Sequence, residues 1–327
     1  MFFSINIILY FVVAVIVIRV FNVLTMGWNK SNVCLVGKTA IITGGRSGLG
    51  YETALILASR GARVILGDRK DSTDVVKTII EETKNPNVIG KFVDLADFKT
   101  VRKFADDIIA NEERLDILIN NAGVAGDVRG ITKDGLQLQI QINYFGPFLL
   151  THLLIDKLKQ TAPSRIIFVS SISAYTSFLN VNSLTKSFRN VIPLLDHYIP
   201  YSNSKLCDAI CSVGFAERLK GTGVTCNALH PGIVTTPMVK TMMSCKDNII
   251  LQYFWYGLAG LIGKSPHEGA QTHAYLAMAN EVQNVTGEFF IDCRKFFQPF
   301  MLRNKVLCEN IWKKTEELVN LQPNEKL

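Results

Sequence analysis

The sequence predicts an α/β fold built on a doubly wound parallel sheet, with a membrane anchor helix in front of it. Two observations lead to this prediction. Short β-branched runs alternate with longer helical patterns from Lys38 onward, and an almost unbroken apolar run opens the chain. Strands and helices that alternate at this spacing form right-handed βαβ crossovers, which produce a parallel sheet with helices on both faces. The 327 residues, of which 48% are hydrophobic, suffice for one large domain with its own core.

The amino-terminal segment 1–26 is the predicted anchor. Residues 2–18 are apolar except for Ser4 and Asn6, and the run continues beyond Arg19 to Leu24. With Arg19 snorkelling, this length reaches the roughly 20 residues that a membrane-spanning helix needs. A cleaved signal peptide would carry positive charge before the apolar run, and residues 1–18 carry none. The positive charges follow the run, so the positive-inside bias places the rest of the chain in the cytosol.

The main domain is predicted over 37–300, with a carboxyl-terminal helix and a fraying tail over 301–327. Buried strands are predicted at 39–43, 63–66, 88–93, 115–120, 165–170 and 224–229, with a late strand at 288–291. Helices are predicted at 49–60, 73–84, 98–111, 134–159 and 201–220. The sequence shows no internal repeat and no Gly/Ser or Pro linker, so these segments are expected to form a single domain.

Charge and cysteine content exclude several classes of partner. A net charge of +7 is mild for this length, and the chain has no long Lys/Arg block of the kind that nucleic-acid-binding arms carry. The seven cysteines are odd in number and form no C-x-x-C pair. This usage predicts a reducing compartment, no disulfide framework and no metal site. We therefore expect neither a nucleic-acid partner nor a bound metal.

A glycine-rich turn follows the first predicted strand. It reads Thr43-Gly44-Gly45-Arg46-Ser47-Gly48-Leu49-Gly50, and a predicted helix begins at once. Glycines let the backbone turn sharply and approach a pyrophosphate, while the helix amino terminus offers free N–H donors and a positive dipole end. This context predicts a Rossmann-type dinucleotide site, although a tight turn without a ligand would have a similar sequence.

Polar residues end the next three predicted strands. Asp68 closes the second strand, where a carboxylate can accept both hydroxyls of an adenosine ribose. Asp94, followed by Leu95, ends the third strand and could meet the adenine edge or simply cap a helix. The fourth strand runs into Asn120-Asn121-Ala122-Gly123, which by itself indicates no more than a turn.

The fifth strand and the helix after it carry a candidate catalytic group. Ser170 and Ser171 end the strand, at the sheet edge where ligands of such folds bind. Tyr201 and Lys205 are four residues apart at the start of a predicted helix, so their side chains share one face. An ammonium beside a tyrosine stabilises its phenolate, as a proton donor and acceptor near neutral pH requires. The same pair also occurs by chance in many helices.

Together these residues resemble the short-chain dehydrogenase/reductase superfamily. The resemblance rests on T-G-x-x-x-G-x-G, N-N-A-G, a mid-helix Asn, a Ser and Y-x-x-x-K in that order, and it runs from Lys38 to about Cys293. It implies a catalytic tetrad of Asn143, Ser171, Tyr201 and Lys205, with Ser171 favoured over Ser170 by position. In that tetrad Tyr201 exchanges the proton, Lys205 also binds the nicotinamide ribose, Ser171 hydrogen-bonds the substrate oxygen, and Asn143 holds a water.

The same resemblance implies a nicotinamide cofactor site. Its residues come from the glycine-rich turn, three strand ends, the catalytic pair and the segment after His230. They are Thr43, Gly44, Arg46, Ser47, Gly48, Leu49, Gly50, Asp68, Arg69, Asp94, Leu95, Asn121, Ala122, Gly123, Tyr201, Lys205, Pro231, Gly232, Val234 and Thr235.

The details are similar to the retinol dehydrogenase-like branch. The spacing of 30 positions between Ser171 and Tyr201 is long for the superfamily and typical of this branch, as are segments 165–171, 265–271 and 286–293. The branch implies an apolar alcohol, aldehyde or ketone as substrate: a retinoid, isoprenoid, fatty alcohol or steroid. It also implies an enzyme of the endoplasmic reticulum membrane that faces the cytosol, and a homodimer formed through helices 134–159 and 201–220.

Three points stay open. Most relatives in this branch have a small residue or Cys followed by Arg after the second strand, which accommodates NADP, whereas this chain has Gly67-Asp68-Arg69. Asp68 would repel the 2′-phosphate, so NAD(H) is favoured, while Arg69 and Arg46 leave NADP(H) possible.

A hydroxysteroid dehydrogenase or a non-catalytic cofactor-binding scaffold would show much the same sequence. Loops 172–200 and 239–261 are expected to cover the substrate with apolar side chains: Phe178, Leu179, Met242, Met243, Phe254 and Trp255.

Overall fold

The computed structural model describes residues 2–185, 193–236 and 263–327, together with residues 238, 257 and 260. The strands of the described part are β1 (Thr39–Thr43), β2 (Arg63–Asp68), β3 (Val88–Phe92), β4 (Ile117–Asn120), β5 (Ser164–Val169), β6 (Val224–His230), β7 (Phe289–Ile291) and β8 (Arg294–Phe296). They form one sheet in the order β3-β2-β1-β4-β5-β6-β7-β8. All neighbouring pairs are parallel except β7–β8.

This strand order confirms the predicted Rossmann-type α/β fold with a parallel sheet. The chain moves outward from β1 to β3 and then returns to the other side of β1 with β4. Crossovers therefore leave β1 and β4 in opposite directions, which opens a crevice at the carboxyl ends of these two strands. Ligands of open α/β sheets bind in such a crevice, so the fold fixes where the candidate site must be.

The helices cover both faces of the sheet. They are α1 (Phe2–Thr25), α2 (Gly48–Ser59), α3 (Thr73–Thr83), α4 (Phe98–Asn111), α5 (Leu138–Ile140), α6 (Gly146–Gln160), α7 (Pro193–Arg218), α8 (Pro266–Met278) and α9 (Lys305–Leu318). One core, with Phe104, Phe148 and Phe215 among its members, lies under α4, α6 and α7. The second core lies under α2 and α8 and contains Leu57 and Ala274.

The long predicted helices differ from the observed ones at their beginnings. The helix predicted from 134 begins only at Leu138, because Gly135 has a left-handed φ of 79° and the Asp134 carboxylate instead accepts the N–H of Phe98 at the start of α4. A π-helical turn, Gln141–Phe145, then joins α5 to α6. The helix predicted from 201 begins at Pro193 and continues through Pro200, although a proline lacks the N–H that a helix interior normally uses.

The carboxyl-terminal segment is packed onto the domain. α9 begins at Lys305, and its Trp312 is 2% exposed against Phe148 and Phe215 of α6 and α7. Arg102 of α4 pairs with Glu325 near the end of the chain. Apolar burial and an ion pair therefore hold α9 and Glu325 against the domain, although the sequence of this segment is mostly polar.

The amino-terminal residues form α1, as the sequence predicts for a helix. Within the described residues, however, no helix combines the length and the apolar character that crossing a bilayer requires. The linker after α1 contacts the main domain, since the N–H of Gly27 donates to Asp292 Oδ1 at 3.4 Å and that of Asn29 to Gln271 Oε1 at 3.4 Å.

Candidate active site

The glycine-rich turn between β1 and α2 is folded tightly against the end of β4. Gly44 and Gly48 have φ values of 66° and 56°, in the left-handed region that favours glycine. A Cβ on Gly50 would lie 2.3 Å from the carbonyl oxygen of Gly44, so a side chain has no room at that position. The Thr43 hydroxyl accepts the N–H groups of Asn121 and Ala122, each at 3.0 Å. These contacts bring the turn and the N-N-A-G segment together as one wall.

A cleft of about 600 Å³ lies beside this wall, at the carboxyl edge of the sheet. Most of the residues predicted for the cofactor and two of the predicted tetrad line it. They are Gly44, Ser47, Gly48, Leu49, Gly50, Asp68, Arg69, Asp94, Leu95, Asn121, Ala122, Gly123, Tyr201, Lys205 and Pro231. The turn presents backbone and the amino terminus of α2 to the cleft, which fits the pyrophosphate of a dinucleotide.

Asp68 stands at one end of the cleft, at the end of β2. Its Oδ1 accepts the backbone N–H of Lys70 at 3.1 Å, which holds the carboxylate in place. Arg69 and Lys70 line the same end, so one anion and two cations surround the expected adenosine ribose. Asp94 also lines the cleft, but its Oδ1 accepts the N–H of Ala96 at 2.9 Å. The cap of α4 is Asp97, whose side chain accepts the N–H of Lys99, so Asp94 is not a helix cap.

Tyr201 and Lys205 lie at the other end, on one face of α7. The Lys205 ammonium nitrogen is 6.0 Å from the centroid of the Tyr201 ring. It donates to the carbonyl oxygen of Val169 at the end of β5, at 2.8 Å, and to Asp208 Oδ2 at 2.9 Å. These acceptors take two of the three ammonium protons. The third remains for groups that enter the cleft.

Asn143 sits below the cleft rather than in its lining. Its Oδ1 accepts the N–H of Val124 at 2.8 Å, and its Nδ2 donates to the carbonyl oxygen of Val124 at 2.9 Å and to Ser204 Oγ at 3.0 Å. Asn143 lies in the π-helical turn, a geometry that is frequent at functional sites. The side chain thus clamps the strand-end segment that follows Gly123.

The two serines at the end of β5 have different environments. Ser170 is 2% exposed, and its hydroxyl donates to the carbonyl oxygen of Lys205 at 2.6 Å. Ser171 is half-buried, and its hydroxyl accepts the N–H of Ser173 at 3.2 Å. The Ser170 proton is thereby committed to the backbone, whereas Ser171 keeps its proton for a ligand. Ser170 lines the cleft and Ser171 does not.

Several predicted residues fall outside the lining. Thr43 acts through its hydrogen bonds to the β4 end, and Arg46 donates from Nε to the carbonyl oxygen of Asp71 at 2.9 Å. The segment after Pro231 lies against Lys264. Val234 and Lys264 form a short parallel β-bridge, and the backbone N–H of Thr235 donates to the Lys264 carbonyl oxygen at 3.0 Å. A Cβ on Gly232 would lie 3.0 Å from the Lys264 Nζ.

The cleft also contains residues that the sequence reasoning missed. They are Gly67, Lys70, Val93, Val124, Ala125, Val128, Ile142, Val169, Thr236 and Met238. Most are apolar and follow strand ends, so proximity to an identified strand end is the signal that could have found them. Of the predicted substrate-loop residues, Phe178 is exposed and Leu179 is buried, while Met242, Met243, Phe254 and Trp255 lie outside the described residues.

Comparison with known proteins gives the family. Residues 38–188 match the family model of the short chain dehydrogenase. Retinol dehydrogenase 11 of Mus musculus is 36% identical over 313 residues, which are 95% of this chain and 95% of that protein. The chain belongs to the short-chain dehydrogenase family. This short-chain dehydrogenase is also 39% identical to retinol dehydrogenase 13 of Mus musculus, over 89% of this chain and 86% of the relative. Retinol dehydrogenase 12 of Homo sapiens is 36% identical over 90% of each chain.

Solved structures agree with the fold of this short-chain dehydrogenase. An uncharacterized protein from Mycobacterium paratuberculosis has a TM-score of 0.68 and 27% identity, with 90% of this chain and 98% of that chain covered. Levodione reductase has a TM-score of 0.63 at 21% identity, with 78% and 95% covered, and supports the fold alone. Membership of the family makes the chain an oxidoreductase that uses a nicotinamide cofactor and acts on CH–OH donors.

Proposed function

We propose that this short-chain dehydrogenase interconverts an apolar alcohol and its carbonyl product, with a retinoid as the favoured substrate. The observation that carries the proposal is that Tyr201 and Lys205 line the same cleft as the glycine-rich turn. A cofactor bound along that turn would present its reactive end to the Tyr201 hydroxyl. The retinoid assignment draws on the retinol dehydrogenases to which the chain is similar.

The residues have complementary roles in this proposal. When bound, the nicotinamide supplies or takes up the hydride. Tyr201 exchanges a proton with the substrate oxygen, and the Lys205 ammonium stabilises its phenolate and binds the ribose hydroxyls. Ser171 donates its free proton to the substrate oxygen, where negative charge develops. Asn143 fixes the backbone at Val124 and holds a water beside Lys205.

A substrate panel tests the proposal. The full chain in microsomes is incubated with retinol, retinal, farnesol, a long fatty alcohol and hydroxysteroids, each with both cofactors. We expect kcat/KM to be highest for retinol or retinal. A preference for a hydroxysteroid would replace the retinoid assignment by the steroid one. Cofactor binding without turnover of any of these compounds would support the scaffold alternative instead.

We infer that NAD(H) is the preferred cofactor. Asp68 lines the cleft and is oriented by the N–H of Lys70, so its second oxygen is available to the ribose hydroxyls. A fixed carboxylate there disfavours a 2′-phosphate. The cationic side chains of Arg69 and Lys70 would attract a 2′-phosphate, so NADP(H) is the alternative. Attraction to solvent-exposed cations is screened and requires side-chain ordering, so we give the carboxylate the larger weight.

The cofactor preference leads to a mutational prediction. Asp68→Ala removes the charged acceptor and should reduce the preference for NAD over NADP by about 1–3 kcal/mol. The measurement is the ratio of kcat/KM with the two cofactors. Asp74→Ala, which removes an exposed carboxylate in the first turn of α3, is the matched control and should leave the ratio unchanged. A wild-type ratio in favour of NADP would contradict the assignment and make Arg69 and Arg46 the phosphate ligands.

We also propose that α1 anchors the chain in the endoplasmic reticulum membrane, with the domain over 37–300 facing the cytosol. The support is the exposed apolar surface of α1, where Tyr10, Phe21 and Leu24 are 73%, 64% and 79% exposed. Apolar side chains of this size at the surface favour a lipid environment. Arg19 Nη1 donates to the carbonyl oxygen of Gly263 at 2.7 Å, so this end of α1 lies on the domain.

The anchor leads to an extraction prediction. The full chain should stay in the membrane pellet after alkaline carbonate treatment, and a chain without residues 1–26 should be released. The sequons at Asn29 and Asn284 should remain unglycosylated on the cytosolic side. Recovery of the full chain in the carbonate supernatant, or a glycan on Asn284, would contradict the proposal.

The homodimer remains a prediction. Helices α6 and α7, which were expected to form the contact, carry α9 on part of their surface through Trp312. A dimer through the same helices must therefore use the surface that α9 leaves open. Sedimentation of the detergent-solubilised chain would give the oligomeric state.

A further inference from the structure

Asp208 has no role in the proposed reaction, yet it touches one of the groups that does. It lies one turn after Lys205 on α7, and its Oδ2 is 2.9 Å from the Lys205 ammonium. Asp208 is 2% exposed and Lys205 4% exposed. A buried carboxylate is costly unless its oxygens are satisfied, and Oδ1 of Asp208 has no hydrogen-bond partner among the described residues. A half-satisfied buried charge next to a catalytic lysine calls for a functional explanation.

We propose that Asp208 is a positioning residue that acts on the reaction through Lys205. Its carboxylate holds the ammonium against the Val169 carbonyl oxygen and offsets part of the positive charge that stabilises the Tyr201 phenolate. The inference rests on the proposed roles of Tyr201 and Lys205. In this arrangement the acid–base centre comprises three groups on successive turns of α7, with only the first two reaching the cleft.

The surroundings of Asp208 leave Lys205 as its charged neighbour in the described part of the chain. The other titratable groups that face it are Tyr144 from the π-helical turn and Cys207 and Cys211 from its own helix. Cys226 of β6 and Cys308 of α9 lie behind those two thiols. Burial raises the pKa of each of these groups, so they are neutral at physiological pH. Among the described groups around Asp208, only Lys205 and Asp208 itself are therefore charged.

Asp208 itself ionises within the physiological pH range. Burial raises the pKa of Asp208 to about 7, against the opposing effect of the Lys205 ammonium. Protonation of this carboxylate would leave the ammonium charge less compensated. The two groups interact closely, so they titrate as a pair rather than as independent sites.

The pH profile of alcohol oxidation tests the proposal. Oxidation needs Tyr201 as the phenolate, so kcat/KM falls on the acid side. Asp208→Asn keeps an oxygen that can accept from the ammonium but removes the charge. The less compensated ammonium should then stabilise the phenolate further, which moves the acid limb to lower pH by about one unit. Asp208→Glu, which keeps the charge, should keep the limb at its wild-type position.

Ser212→Ala is the matched control. Ser212 lies one turn further along α7, is 2% exposed and donates to the Ala209 carbonyl oxygen at 2.9 Å. This variant also loses a buried polar group, and it should not move the limb. A limb that stays in place in Asp208→Asn, or that moves to higher pH, overturns the proposal even if kcat or the melting temperature falls. If Asp208→Asn does not fold, Asp208→Ser removes the charge in its place, with the same expected shift.

A second readout does not depend on turnover. The ultraviolet difference between wild type and Tyr201→Phe at each pH reports the tyrosinate of Tyr201, and the same difference is taken in the Asp208→Asn background. The phenol should ionise at lower pH when the carboxylate is absent, and an unchanged ionisation overturns the proposal. Failure of the proposed function is distinct, because the wild-type chain would then bind cofactor and turn over no alcohol.

Discussion

Tyr201→Phe should reduce turnover by at least the roughly 10²–10⁴-fold that removal of an acid–base group causes. The ring remains, so the packing of this 8% exposed side chain on α7 is retained, and only the hydroxyl that exchanges the proton is lost. The measurement is kcat with the preferred alcohol at saturating cofactor. Loss of kcat with little change in KM would show that the hydroxyl acts in the transition state rather than in binding.

Cofactor binding is the control for this variant. The glycine-rich turn, Asp68 and Lys205 supply the contacts proposed for the cofactor, so its dissociation constant should change little. Tyr198→Phe, which removes another tyrosine hydroxyl of α7, is the matched substitution and should retain activity. More than about a tenth of wild-type activity in Tyr201→Phe would contradict the assigned mechanism, since even the smallest expected loss is larger.

Lys205→Ala should weaken both turnover and cofactor binding. The ammonium is proposed to stabilise the Tyr201 phenolate and to bind the ribose hydroxyls, so both functions are lost together. The structure adds a cost, because the substitution leaves Asp208 buried without its counter-ion. We therefore expect a lower melting temperature as well, most pronounced above neutral pH, where Asp208 is ionised.

Fluorescence titration of the cofactor separates this variant from Tyr201→Phe. The dissociation constant should rise clearly in Lys205→Ala and not in Tyr201→Phe. Lys205→Met, which retains most of the side-chain length, controls for lost packing and should behave like Lys205→Ala. Wild-type affinity for the cofactor in either lysine variant would exclude Lys205 as a ribose ligand.

The parallel sheet could be predicted from the sequence because its strands are fully buried. Ile41, Ile65 and Ile119 are 0% exposed and stand in short β-branched runs that only a covered sheet explains. The antiparallel β8 was not predicted, since Arg294–Phe296 is exposed throughout and carries no apolar periodicity. The beginning of α5 could not be read from the sequence pattern either. It depends on contacts of Asp134 with α4, residues that are far apart in sequence.

A site residue could be predicted from the sequence where it stands at a strand end or at a helix position that belongs to the family motif. Asp68 and Tyr201 are examples, and both line the cleft. Asp208 could not be identified in this way, because a carboxylate three residues after a lysine is an ordinary surface pair in most helices. Asp208 is distinguished by its burial and by its Oδ1, which has no hydrogen-bond partner in the described part of the chain. Ser171 was chosen by position and stays a prediction: the proton of the Ser170 hydroxyl is committed to the backbone, which favours Ser171, but it is Ser170 that lines the cleft.

The proposed reaction is the oxidation of an apolar alcohol with a nicotinamide cofactor through Tyr201. The most direct measurement follows retinol, retinal and reduced cofactor together in one reaction with the membrane-bound full chain, beside the same preparation of Tyr201→Phe. We expect one reduced cofactor for each retinal formed by the wild type, and almost none by the variant. A chain that binds the cofactor but forms neither product with retinol or the other alcohols of the panel would contradict the proposed reaction.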